Sequence, residues 1–146
     1  MVRAASFLSY DQGVETVASR IVASNQELPL VVIDGYYGVG KTHFSRDVFQ
    51  KVWSSAYKLG QLVEVNDLRR ARCRIGDVPP FYLIENHQVF PLLVERDCIK
   101  YFQKTPDLWV LLVPDFNQLA STQQLRLEIL LRQYDFMVEN PAAVKR

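Results

Sequence analysis

The chain has 146 residues, 49% of them apolar and 23% charged, with a net charge of +1. That length predicts one domain, residues 1–146, with a single core, and the composition is ordinary for a soluble globular protein. The balanced charge gives no overall field toward nucleic acid or membrane, no run approaches the 18 apolar residues of a transmembrane helix, and Asp11 and Glu15 break any signal-peptide pattern. Cys73 and Cys98 lack metal-ligand spacing and read as reduced thiols of a cytoplasmic protein.

Val14, Val17, Ala18, Ile21 and Val22 form an amphipathic stripe over residues 9–24, which Ser9 and Gln12 open as a capping box. After a loop at 25–29, Leu30-Val31-Val32-Ile33-Asp34 reads as a buried strand. Gly35-Tyr36-Tyr37-Gly38-Val39-Gly40-Lys41-Thr42 follows, and then Phe44, Val48, Val52, Ala56 and Leu59 recur at helical spacing, with Gly60 placed as a C-cap. A second strand is expected at 61–65. Asn66 or Asp67 then caps a short helix carrying Arg69, Arg70, Arg72 and Arg74, which Gly76 stops. Pro79-Pro80 lead into a strand over 81–84 ending at Glu85-Asn86-His87. Pro91 starts a helix to 104, with Val94, Cys98, Ile99 and Phe102 on one side. Leu108–Val113 is a continuous apolar run, as in a parallel strand buried on both faces. Ser121 and Gln124 open a helix through Arg132, and 134–138 reads as a short last strand before Glu139-Asn140-Pro141 and a polar tail. Trp53 and Trp109 read as core or partly buried anchors.

Alternating strands and helices predict an α/β three-layer sandwich, with a mostly parallel sheet of about five strands and helices on both faces. Gly35–Thr42 matches G-x-x-x-x-G-K-[ST] at every fixed position and sits between a strand and a helix, the context of a phosphate-binding loop of the P-loop NTPase type. Its glycines allow successive backbone N–H groups to converge on one anion, and the helix N-terminus adds positive potential. Lys41 is expected on the β- and γ-phosphates and the Thr42 hydroxyl on Mg²⁺. The expected nucleotide contacts are Gly35, Tyr37, Gly38, Val39, Gly40, Lys41, Thr42 and His43, with ATP or another nucleoside triphosphate as ligand. Tyr36 and Tyr37 either stack on a base or ribose or cover the loop.

In parallel α/β folds ligands sit beyond the carboxyl ends of the strands, so Asp34-Gly35, Asn66-Asp67, Glu85-Asn86 and Pro114-Asp115 are the site candidates. Asp67 is either a proton acceptor for an attacking hydroxyl or a helix cap. Glu85 either supports the metal or faces solvent in a turn. Arg69, Arg70, Arg72 and Arg74 either hold an acceptor or RNA backbone or form a solvated helix face. Arg126 and Arg132 either cover a transferring phosphate or lie along a helix near its C-terminal end. His87 reads as a loop or surface histidine rather than a general base.

Val32-Ile33-Asp34-Gly35 running into Gly40-Lys41-Thr42 resembles the opening of the uridine-kinase-like P-loop kinases. Asp67 falls about where that family places a substrate-contacting acid. Leu83-Ile84-Glu85 and Asp107–Leu112 sit like its next strands. Tyr134-Asp135-Phe136-Met137-Val138-Glu139-Asn140 is similar to the last strand of nucleoside- and nucleotide-kinase relatives, which leads into an adenine-contacting loop. The resemblance implies phosphotransfer from ATP to a hydroxyl acceptor, with Lys41 and Thr42 on phosphate and Mg²⁺, Asp67 as base, and Arg126 or Arg132 as a lid arginine. The chain departs from the family in the short segment between Asp67 and Glu85 and in having no room for a separate lid. Asp67-Leu68-Arg69-Arg70 and Leu83-Ile84-Glu85-Asn86 are also similar to runs in the small P-loop ATPases of tRNA threonylcarbamoyladenosine synthesis, whose Ser-Pro-Thr switch segment is missing here. That second resemblance implies an ATPase or switch subunit working with a partner protein.

Overall fold

The computed structural model describes residues 5–24, 29–72, 81–87, 91–120 and 123–142. In chain order the elements are β1 (Ser6–Leu8), α1 (Tyr10–Ala23), β2 (Leu30–Asp34), α2 (Lys41–Ala56), β3 (Gly60–Glu64), a 3₁₀ turn at Val65–Asp67, α3 (Leu68–Arg72), β4 (Phe81–Glu85), α4 (Pro91–Phe102), β5 (Leu108–Val113), α5 (Phe116–Ala120), α6 (Gln124–Gln133) and β6 (Phe136–Glu139). The strands form one sheet in the order β1-β6-β5-β2-β4-β3, with every pairing parallel. The fold is therefore α/β as expected, but the sheet has six strands instead of about five and is wholly parallel. The added strand, β1, is three residues long and largely exposed at the sheet edge, so it carries no alternation that a sequence pattern can register.

Alternate residues of each strand enter opposite cores. On one face Val31, Ile33, Val110, Leu112 and Val138 meet Val17, Ala18 and Ile21 of α1 and Phe44, Val48 and Val52 of α2. On the other, Leu30, Val32, Trp109, Leu111 and Met137 meet Leu68 and Ala71 of α3, Val94 and Cys98 of α4, and Leu119 of α5. β2, β4 and β5 are buried along their whole length, as strands covered on both faces must be.

Local signals held where the chemistry was local. The Ser9 hydroxyl accepts from the Gln12 amide at 3.3 Å, and the Gln12 side chain accepts from the Ser9 amide at 3.0 Å, closing the capping box. Four expectations need correction. α2 ends at Tyr57, whose backbone is left-handed at φ 52°, and Gly60 begins β3 pressed against the Phe81 ring. Leu59 and Trp53 are exposed, Trp53 edge-on to Tyr57. The helix foreseen from Ser121 runs from Gln124, and α5 precedes it. The last strand starts at Phe136, since Tyr134 caps α6 and Asp135 is tied to Trp109. Cys73, Arg74, Gly76, Pro79, Pro80 and Ser121 lie outside the described residues. Among the described residues no helix is long and apolar enough to cross a membrane.

Candidate functional site

The parallel order places β2 between β4 and β5. The carboxyl ends of these three strands, with the Gly35–Thr42 loop rising from β2, meet at one edge of the sheet, where the chain turns outward on both sides. β2 ends at Asp34, fully buried, whose Oδ1 accepts from the Gly35 amide at 2.8 Å and whose Oδ2 accepts from the Tyr134 hydroxyl. The loop then closes onto α2. Gly40 occupies its N-cap at φ 91°, a left-handed conformation that suits glycine. A Cβ there would lie 2.6 Å from Asn140 Nδ2, which donates to the Val39 carbonyl at 2.9 Å. Asn140 thus clamps the loop from the end of β6, with its own amide held by the Val113 carbonyl. Having no side chain, Gly40 leaves the first-turn amides of α2 without a side-chain cap, the arrangement that receives an anion.

Lys41 is buried, and its ammonium donates to the Gly35 carbonyl at 2.7 Å and the Tyr36 carbonyl at 2.8 Å. Burial lowers its pKa, and the negative charges of Glu85 and Asp34 oppose the shift. Thr42 Oγ1 donates to Glu85 Oε2 at 3.1 Å. Glu85 is the last residue of β4, opposite Ile33 in the parallel register, so it stands beside the root of the loop. Next along the chain, the His87 ring stacks on Tyr37 at 4.4 Å with 7° between planes.

A cavity of about 370 Å³ opens in front of the loop, lined by Tyr37, Gly38, Gly40–His43, Arg46, Glu85 and His87. A second, of about 480 Å³, lies toward β3 and α3, lined by Gln61–Glu64, Asp67, Arg70 and Ala71. Thr42 and Glu85 belong to both cavities. A third, of about 320 Å³, is bounded by Tyr10, Gly38, Gly40, His43 and the Asn140–Ala142 segment. Its outer wall is braced by Asp47, which accepts from the Tyr10 hydroxyl at 2.5 Å and lies 3.6 Å from His43 Nε2.

The residues singled out in the sequence are therefore distributed as follows. Gly38, Gly40, Lys41, Thr42, His43, Tyr37 and Glu85 converge on the first cavity, while Gly35 and Val39 form the inner side of the loop. Asp67 faces the second cavity, in a loose ion pair with Arg70 at 4.0 Å. Arg126 lines a smaller cavity of about 240 Å³ with Tyr36 and the end of β5. Arg132 lies in the last turn of α6, roughly 9 Å farther along the helix axis, toward the start of β6. Arg69 and Arg70 are exposed on α3; Arg74 is outside the described residues. His87 sits on a loop as expected, yet it is half-buried and forms part of the cavity wall.

Sequence reasoning missed Arg46, Tyr10 and the two ties that hold the loop, Asp34–Tyr134 and Asn140–Val39. Arg46 was within reach: four residues after Thr42 on a helix, it falls on the same face. The ties join residues about a hundred positions apart and leave no local trace.

The donor set fits a nucleotide with its metal in part by its chemistry. Among the described residues no group of three or more His, Cys, Asp or Glu is placed to hold a metal ion. The Thr42 hydroxyl and Glu85 carboxylate form a hard oxygen pair of the kind Mg²⁺ uses when phosphate oxygens and water complete its shell.

No protein-family model and no curated protein matches the chain. Among solved structures it is similar to one described as a possible uridine kinase from Bacillus stearothermophilus. The TM-score is 0.51 and the identity 12%, over 86% of this chain and 97% of that one. The chain therefore has an α/β fold with a six-stranded all-parallel sheet that resembles that structure.

Proposed function

We propose that this protein transfers the γ-phosphoryl group of ATP, or of another nucleoside triphosphate, to a hydroxyl acceptor with the help of Mg²⁺. The observation that carries the reading is the shared boundary of two cavities: Thr42 and Glu85 line both the space before the loop and the space before Asp67. A phosphate donor in the first and a hydroxyl in the second would meet at that boundary. Lys41 and the loop amides neutralise the polyphosphate, with the Lys41 ammonium exchanging its two carbonyl partners for phosphate oxygens. Thr42 and Glu85 hold the metal side, and Mg²⁺ supplies charge neutralisation there. Asp67, which lines the second cavity, takes the acceptor proton. The protein's contribution is position and charge rather than covalent chemistry. The base would then lie in the third cavity, beyond Gly40 and beside Asn140–Ala142, where Tyr10 is among the lining residues.

A panel of neutral hydroxyl compounds, nucleosides included, incubated with Mg-ATP tests this reading. Phosphorylated acceptor is the expected product, lost in Asp67→Asn while nucleotide binding persists and lost together with binding in Lys41→Ala. If hydrolysis occurs only with a partner protein present and no acceptor is labelled, the chain is a nucleotide-dependent switch subunit instead. Undiminished binding by Lys41→Ala removes the nucleotide reading altogether.

A further inference from the structure

The structure points to a positioning residue remote from the loop in sequence. We propose that Tyr134 orients the loop's first peptide through Asp34, and so sets where Lys41 rests. The inference builds on the nucleotide reading of the loop.

The connection runs through consecutive contacts. The Tyr134 hydroxyl donates to Asp34 Oδ2; Asp34 Oδ1 accepts the Gly35 amide at 2.8 Å; the Gly35 carbonyl accepts Lys41 Nζ at 2.7 Å. All four residues are buried: Tyr134 is 2%, Asp34 0% and Lys41 4% exposed, and Gly35 is buried beneath Val39 and the Leu112 carbonyl. A buried carboxylate must be met by donors, and a hydrogen bond to a charged group is stronger than one between neutral groups. Tyr134 is itself fixed at both ends. Its amide donates to the Leu130 carbonyl, and its ring meets the Trp109 ring edge-on at 6.4 Å. Burial, with Asp34 beside it, pushes the phenol pKa far up, so the hydroxyl keeps its proton and remains a donor.

With the hydroxyl removed, Asp34 Oδ2 loses this donor while remaining buried. The nearby cation is Lys41, whose charge Asp34 already favours. The carboxylate would then compete with phosphate for the ammonium, and the Gly35 peptide would turn with it. The Tyr134 hydroxyl meets the root of the loop at Asp34, so its influence on Lys41 passes through that carboxylate.

The test is a double-mutant cycle of Tyr134→Phe and Asp34→Asn in the full chain. It is read by calorimetry with Mg-ATP and by the amide resonance of Gly35 in the nucleotide-free protein. Tyr134→Phe is expected to weaken Mg-ATP binding about tenfold and to shift the Gly35 resonance. Asp34→Asn is expected to shift it too, and Tyr134→Phe should add nothing to either readout in the Asp34→Asn background. A purely structural tyrosine would give independent, additive effects, and additivity overturns the proposal. So does an unmoved Gly35 resonance in Tyr134→Phe. If that variant does not fold, an Asp34→Asn protein with unchanged Gly35 resonance and affinity overturns it as well. Wild-type protein that binds no Mg-ATP defeats the nucleotide reading, whereas the Gly35 resonance still decides whether Tyr134 governs the loop.

Discussion

Replacing Gly40 by alanine asks whether the loop depends on the clamp seen at its end. Two contributions can be estimated from the structure. Gly40 has φ 91°, and an L-residue in left-handed backbone loses about 1–2 kcal/mol. The added Cβ would sit 2.6 Å from Asn140 Nδ2, so the amide must withdraw from the Val39 carbonyl it reaches at 2.9 Å, a further loss of about 1 kcal/mol. Together, roughly 2–3 kcal/mol corresponds to a fall in Tm of roughly 4–12 °C for a chain of this size. Differential scanning calorimetry of wild type, Gly40→Ala, Asn140→Ala and the double variant measures it. Because Asn140→Ala removes the atom that Gly40→Ala strikes, the double variant should lose about 1 kcal/mol less than the sum of the singles. A drop below about 2 °C in Gly40→Ala, or strict additivity, refutes the reasoning.

Lys41 gives the pH dependence. Its folded pKa lies below the ordinary lysine value of 10.5, so between the two values the unfolded chain binds more protons and stability rises with pH. Mg-ATP affinity should fall over the same alkaline range as the ammonium is lost, and titration calorimetry at stepped pH checks both signs. Glu85→Gln retains a carbonyl oxygen that can accept from Thr42 at the 3.1 Å contact but removes the charge, so the Mg²⁺ concentration for half-maximal activity should rise about tenfold or more, with little change in Tm. Burial pushes the Cys98 thiol up to about 12, so in a Cys73→Ser background iodoacetamide should leave it unmodified at neutral pH until urea unfolds the chain. Rapid labelling of the native protein would contradict its place in the core.

How much of this was readable beforehand follows from the range of each interaction. The loop from Gly35 to Thr42 was legible because its chemistry requires particular residue types at fixed spacing, and β2, β4 and β5 because burial on both faces leaves unbroken apolar runs. Thr42 and Glu85 were picked out separately as metal-side groups, and the parallel register of β2 with β4 brings them into contact. β1 was invisible, since three residues at an exposed edge make no pattern. Gly60 was misread as a helix stop because Tyr57, an unusual residue for left-handed backbone, had already ended the helix. The Asp34–Tyr134 and Asn140–Val39 ties required knowing that β6 lies beyond β5 from β2, which pairing order decides and composition does not.

The pairing of β1 with β6 has a consequence for how the molecule assembles. Ser6 meets Phe136, 130 residues later, so β1 has no partner until β6 has been made. Adjacent hairpins cannot relieve the wait, because neighbouring strands all run the same way and each must be reached across a helix. Pairing should therefore begin where the separation is shortest, β3 with β4 and β5 with β6, and close last where β1 joins β6. Without residues 136–140, β1 would lack its pairing partner and the loop would lack its Asn140 brace.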